Sequence, residues 1–164
     1  MDSASLIPAE TLALVGSVEV ASAAIEVTAE GAQRYAQAVG DLNPIYFDAD
    51  AARAAGYRGL VAPPTYVQYA LVQGRPQADI REDGLFRGMS PLRLRVQRTM
   101  FGGEEWDFVA TVHVGDRITG TTRIAALDEK QGSKGPFVRI TRETTYTNQD
   151  GELVARTRQI GIAR

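Results

Sequence analysis

The sequence predicts an α+β domain in which an antiparallel sheet curls around one long buried helix, and three observations predict it. From Leu92 onward, apolar residues recur at every second position, the period of a strand with one buried face. Short turns separate these segments, and strands joined by short turns pair antiparallel. Ahead of them, Pro63 and Pro64 open a segment over 64–73 (Tyr66-Val67-Gln68-Tyr69-Ala70-Leu71-Val72) that is apolar nearly all round. A helix with that composition has to be enclosed, and a sheet wrapped around it does the enclosing. At 164 residues the chain reads as a single domain over 1–164 with a sizeable core.

Residues 1–16 read as a loosely ordered, partly helical arm, and Val18 to Val27 as a first strand. Thr28 suits a helix N-cap, and Glu30 the positive end of the helix dipole. Ala32, Tyr35, Ala36 and Val39 then form one helical face. Gly40 ends that helix and Pro44 bars its continuation. A short Ala-rich helix spans 49–55, closed by Gly56. The prolines at 63 and 64 stand where missing N–H groups cost least, and Gly74 ends the central helix. A long loop follows over about 74–90.

Leu92, Leu94 and Val96 alternate with Arg93, Arg95 and Gln97, an expected strand. Gly102-Gly103 reads as a hairpin turn. Trp106, Phe108, Ala110 and Val112 form the next strand, and Gly115-Asp116 the next turn. Segments 117–128, 136–147 and 152–163 are three more strands, the last two joined by Asn148-Gln149-Asp150-Gly151. Such a sheet leaves a face and an edge to cover, which points to a dimer or a two-domain pairing.

The composition excludes several functions. A net charge of −2 lacks the basic excess of a nucleic-acid binder. With no cysteine and one histidine, disulfides, thiolate nucleophiles, Cys-based zinc sites and a His-rich metal site are ruled out. No signal-peptide pattern opens the chain and no apolar run reaches membrane-spanning length, so a cytoplasmic protein with no membrane partner is expected.

The chemistry concentrates in Gly40-Asp41-Leu42-Asn43-Pro44-Ile45-Tyr46, followed by Ala51-Ala52, Tyr57 and Val61-Ala62-Pro63-Pro64. With Phe101 to Trp106, Val114-Gly115-Asp116 and Arg142 to Asn148, these stretches resemble the MaoC-like (R)-specific enoyl-CoA hydratase/dehydratase family, and most closely its N-terminal-type, non-catalytic branch. The resemblance covers most of the chain and implies a hot-dog fold. In catalytic members the motif is Asp-x-Asn-Pro-x-His, whose Asp and His activate water for addition to a 2-enoyl thioester. Here Asp41 holds the carboxylate position and Tyr46 the histidine position. A phenol titrates near 10, far from the neutral range in which a general base works. The family's Ala-His-Gly is Ala62-Pro63-Pro64, and Pro64 has no amide to polarise a thioester carbonyl.

The resemblance therefore implies a supporting subunit of a heteromeric (R)-specific 2-enoyl-thioester hydratase, or (3R)-3-hydroxyacyl-thioester dehydratase. Its substrate would be an acyl-CoA or acyl-ACP thioester, with no cofactor and no metal. Its partner would be a catalytic MaoC-like subunit or a second copy of itself, since related fused proteins carry both halves on one polypeptide. Two alternatives stay open: a self-sufficient homodimeric hydratase or thioesterase using Asp41 and Tyr46, and a non-enzymatic acyl-CoA-binding module. Asn43, Tyr57, Arg58, Pro64 and Tyr66 are the candidate substrate-binding residues. Each also has a structural reading: Asp41 and Asn43 as loop braces, Tyr46 as filler of the histidine's space, Arg58 as a solvated cation, Tyr66 as core or tunnel lining. Trp106 reads as core or interface, His113 as an exposed strand-end residue, and Arg93, Arg95 and Arg98 as a solvated face.

Overall fold

The computed structural model describes residues 5–72, 78, 80, 82, 92–96 and 98–164. Its frame is a six-stranded antiparallel sheet in the order β1-β4-β5-β6-β3, with β2 also pairing β4. The strands are β1 (Val18–Ala21), β2 (Ile25–Glu26), β3 (Thr99–Phe108), β4 (Arg117–Gly132), β5 (Gly135–Thr147) and β6 (Leu153–Ala163). Helix α1 (Ala9–Leu12) lies in the N-terminal arm, and α2 (Ala29–Val39), a 3₁₀ turn (Pro44–Tyr46) and α3 (Ala49–Ala54) follow β2. The central helix, Pro64–Leu71, is 3₁₀. This is the hot-dog architecture. Among the described residues no helix is long and apolar enough to cross a membrane.

The caps form where the side chains dictate. Thr28 accepts a hydrogen bond from the Gly31 amide, and Gly40 closes α2 with φ at 75°. Ala32 and Ala36 are buried on the face expected, but Val39 is 56 % exposed. The expected strand over 18–27 breaks in two. The Ser22 hydroxyl accepts the Gly120 amide, taking a place a backbone carbonyl would hold, and the ladder resumes only at Ile25.

Two corrections concern the central helix and β3. The helix buries Tyr66, Val67 and Ala70 but leaves Gln68 and Tyr69 exposed, so it is enclosed on one side and not all round. Gly102-Gly103 is no hairpin turn. It lies inside β3, where the register against β6 slips between Phe101 and Gly103. A Cβ on Gly102 would stand 3.1 Å from the Ile160 backbone oxygen, and Gly103 has φ at 150°. Glycines in a strand mark such a bulge and close approach. No strand forms over 92–96 either. Its alternation still reports burial correctly, because Leu92, Leu94 and Val96 pack down while Arg93 and Arg95 stay exposed. The expected loop over 74–90 lies outside the described residues except for 78, 80 and 82.

The inner face of the sheet carries two apolar cores. One lies under the central helix and joins Val27, Tyr66, Val67, Ile118, Tyr146 and Val154. The other joins Ile124, Leu127, Val138, Ile140 and Ala163, covered by Leu6, Ile7 and Leu14 of the arm and by Leu92, Leu94 and Val96. The arm, expected to be loose, is thus packed. Thr11 donates to the Arg93 carbonyl at 2.7 Å, and the Gly16 amide to that of Ile124 at 2.7 Å. Polar residues cross the sheet where the cores meet. Thr122 and Thr144 share a hydrogen bond of 2.8 Å, Thr157 is buried beside them in the pairing, and Arg142 clamps Glu19 at 2.6 and 3.0 Å.

Gly120 fixes how closely the central helix approaches this face. A Cβ there would stand 2.7 Å from Leu71 Cδ2 and 3.2 Å from the Tyr146 ring. Gly120→Val is expected to destabilise the fold by about 1–3 kcal/mol through overpacking, read as a lower urea midpoint at unchanged slope.

Candidate functional site

The loop after α2 is built by its own side chains. The Asp41 amide continues the helix end by donating to the Ala36 carbonyl at 2.9 Å. Asp41 Oδ1 then accepts the Asn43 amide at 3.3 Å, and Asn43 Oδ1 accepts the Ile45 amide at 3.3 Å. These are consecutive Asx turns. They deliver Pro44 to the first position of its 3₁₀ turn and swing Tyr46 inward.

Tyr46 is 5 % exposed, and its hydroxyl donates to Asp41 Oδ2 at 3.0 Å. Burial first, and then the hydrogen bond and charge of Asp41, push its phenol up to about 12. At neutral pH the Tyr46 phenol is therefore a fully protonated donor, already spent on the neighbouring carboxylate. Its ring packs with Ala36 and Val61, flanked by Ile45, Phe47 and Tyr57.

An open cleft of about 240 Å³ lies against this ring. Tyr46, Tyr57, Pro64, Val61, Val67 and Phe108 are among its lining residues. Three of the seven sequence-predicted site residues thus reach it. Pro64 stands at the start of the central helix, where it brings no N–H to the cleft. The Ala62 amide nearby is used by the Val112 carbonyl at 2.9 Å. Asp41 stands behind Tyr46 and Asn43 braces the loop; neither lines the cleft. Tyr66 belongs to the core, 3 % exposed and edge-on to Tyr35 at 5.6 Å, and does not line it either. Trp106 is partly buried in that core, stacked on Tyr146 at 5.9 Å and on Phe108 at 5.2 Å, its Nε1 donating to Glu104.

Two expectations are corrected. Arg58 is not merely solvated, because its guanidinium pairs with the carboxylate of Asp116, which is 4 % exposed. His113 is not an exposed strand end. Its side chain is 12 % exposed and its ring lies edge-on to Tyr57 at 6.2 Å. Burial, and then the Arg58 cation, lower the imidazole's affinity for a proton. The sequence marks Asp116 only as part of a turn and of the resembling stretch 114–116, because an Asp after Gly115 reads as a surface turn residue. The pairing across the chain that buries it leaves no local signal. Arg93, Arg95 and Arg98 are exposed as expected.

Residues 13–157 match the model of the FAS1-like, dehydratase domain region family. A UPF0336 protein of Streptomyces coelicolor is 35 % identical over 120 residues, 73 % of this chain and 75 % of that one. A probable enoyl-CoA hydratase alpha subunit of Thermomonospora curvata is 30 % identical over 129 residues, 75 % of this chain but 40 % of that protein. Among solved structures, the ChsH1-ChsH2 complex from Mycobacterium tuberculosis superposes with a TM-score of 0.72 at 22 % identity, covering 94 % of this chain and 86 % of the other.

Proposed function

We propose, since the chain belongs to the FAS1-like dehydratase domain region family, that it is the supporting, non-catalytic half of a heteromeric (R)-specific 2-enoyl-thioester hydratase or (3R)-3-hydroxyacyl-thioester dehydratase. One observation carries this reading: the Tyr46 hydroxyl is bonded to Asp41. In that state the phenol offers no base near neutral pH, and Asp41 Oδ2 spends one of its acceptor positions on it. Pro64 adds the absence of an amide where a thioester oxygen would be polarised.

The catalytic Asp and His then come from a partner chain of the same fold. This chain supplies an apolar wall for the acyl group, from Val61, Val67 and Phe108. Tyr57 and Pro64 narrow the same wall. Arg58, whose side chain stays 62 % exposed while paired, keeps a cation at the surface for a phosphate of CoA or of a carrier protein. The thioester itself acidifies the α-carbon, so no cofactor is required. That one relative is described as an alpha subunit, and that a structural neighbour is a two-component complex, supports the assignment of a partner.

The test is co-expression with a MaoC-like chain carrying Asp-x-Asn-Pro-x-His. A stable complex that hydrates a 2-enoyl-CoA, loses activity when the partner's motif His is replaced by Ala, and keeps it in Asp41→Asn is the expected result. An isolated chain that turns over briskly and is silenced by Asp41→Asn would instead establish a self-sufficient homodimer. Tight acyl-CoA binding without reaction, with or without the partner, would establish a binding module.

A further inference from the structure

The one histidine of the chain sits inside the wall of the cleft with a ring nitrogen that bonds to nothing described. His113 Nε2 is buried and has no hydrogen-bond partner among the described residues. The charged groups that act on the imidazole are Arg58, from the loop packed against it, and Asp116, from its own turn. Asp116 is already engaged on both oxygens. Oδ1 accepts from Arg58, and Oδ2 accepts the His113 backbone amide at 2.8 Å, while His113 Nδ1 stands 3.9 Å from Oδ2.

The backbone at this point is a seam between two segments. The Ala62 amide donates to the Val112 carbonyl at 2.9 Å, the Val114 amide to the Leu60 carbonyl at 3.0 Å, and Val61 bridges to His113. Both lips of the seam face the cleft: Tyr57, Val61 and Ala62 on one side, Ala110, Thr111 and Val112 on the other. The Tyr57 ring, edge-on to the imidazole, connects His113 to the cleft lining.

We propose that His113 is an acid-sensitive latch on this seam: neutral, it lets the 57–62 loop lie on the 110–114 segment, and protonated, it releases the loop and opens the wall of the cleft. Protonation would place an N–H on Nε2 facing no acceptor in a buried site, and a second cation beside Arg58. Burial and Arg58 oppose the charged form and outweigh Asp116 and the Thr111 backbone, which favour it. The sign follows. The closed seam holds its proton less tightly than an open one, so its stability is fully present above the ordinary histidine value of about 6.5. That stability is lost as pH falls through this value towards the lowered folded pKa. The latch is independent of which thioester occupies the cleft.

The experiment uses the full ¹⁵N-labelled chain, in which the imidazole signal is unambiguous. The expected midpoint lies below about 6.5. Protection of the Ala62 and Val114 amides, corrected for intrinsic exchange, is expected to fall by up to about tenfold per pH unit across the transition. Amides in the middle of β5 keep theirs. His113→Gln abolishes this dependence. A midpoint at or above the ordinary value, protection that ignores the imidazole titration, or a pH dependence that persists in His113→Gln overturns the proposal. Should that variant not fold, the wild-type titration and exchange decide alone.

Discussion

Purified without a partner, the chain is expected to turn over a short 2-enoyl-CoA at least about 10²-fold more slowly than its complex with a catalytic chain. A general base is typically worth about 10²–10⁴ in rate, and one oxyanion donor about 10²–10³. Tyr46, with its phenol pushed up to about 12, supplies no base, and Pro64 supplies no amide. The two factors act on one reaction and do not multiply freely, so about 10², the smaller value of either alone, is the lower bound. Steady-state assay of the lone chain, of the complex and of Asp41→Asn in both settings reads the difference. A lone chain within about tenfold of the complex would refute the supporting role.

Restoring the motif is a weaker test than it looks. Tyr46→His would place an imidazole beside Asp41, but it leaves Pro64 in place. Removing Tyr46 also takes a ring out of the cluster with Ala36 and Val61. No recovery is expected from that single change.

The second large effect concerns stability. Arg142→Met is expected to cost about 3–5 kcal/mol, the range for a buried ion pair broken from one side. The Glu19 side chain is 2 % exposed and meets Arg142 through two short bonds, so removing the guanidinium strands a carboxylate between the two cores. Urea unfolding followed by circular dichroism measures it. The exposed pairs give a contrast within the same protein. Arg156 and Asp107, 58 % and 60 % exposed, are joined at 2.9 Å across β6 and β3. Truncating either is expected to shift stability by less than about 1 kcal/mol. Equal losses at both sites would mean that burial does not govern the Glu19 pair.

What the sequence revealed and what it hid divide by range. The Thr28 cap, the Gly40 stop, the Asx turns at Asp41 and Asn43, and the Asn148–Gly151 connection are local contests among neighbours a few residues apart, and all are readable from composition alone. Gly102-Gly103 carries the same local signal as a hairpin turn. What overrides it is Ile160, a strand away, whose backbone oxygen would crowd a Cβ at 3.1 Å. Asp116 and His113 follow the same pattern, since Arg58 and Tyr57 reach them from a loop more than fifty residues earlier. At the site, the identities at 46 and 64 can be read without the packing around them, because a phenol is not an imidazole and a proline has no amide N–H. That Tyr66 lies in the core and not in the cleft was beyond reach, because a tyrosine on an apolar helix reads alike in either place.

The slip in β3 has a consequence for the whole inner face. Strand side chains alternate strictly, so one surplus residue exchanges the two sides of everything beyond it. With the surplus taken up between Phe101 and Gly103, Trp106 arrives inward, flat against Tyr146, and Asp107 arrives outward, opposite Arg156. A shortened version of this strand would present the indole to solvent and drive the acid under the helix. A pair of glycines far from the cleft thereby acts as a phase setter for the aromatic floor beside it.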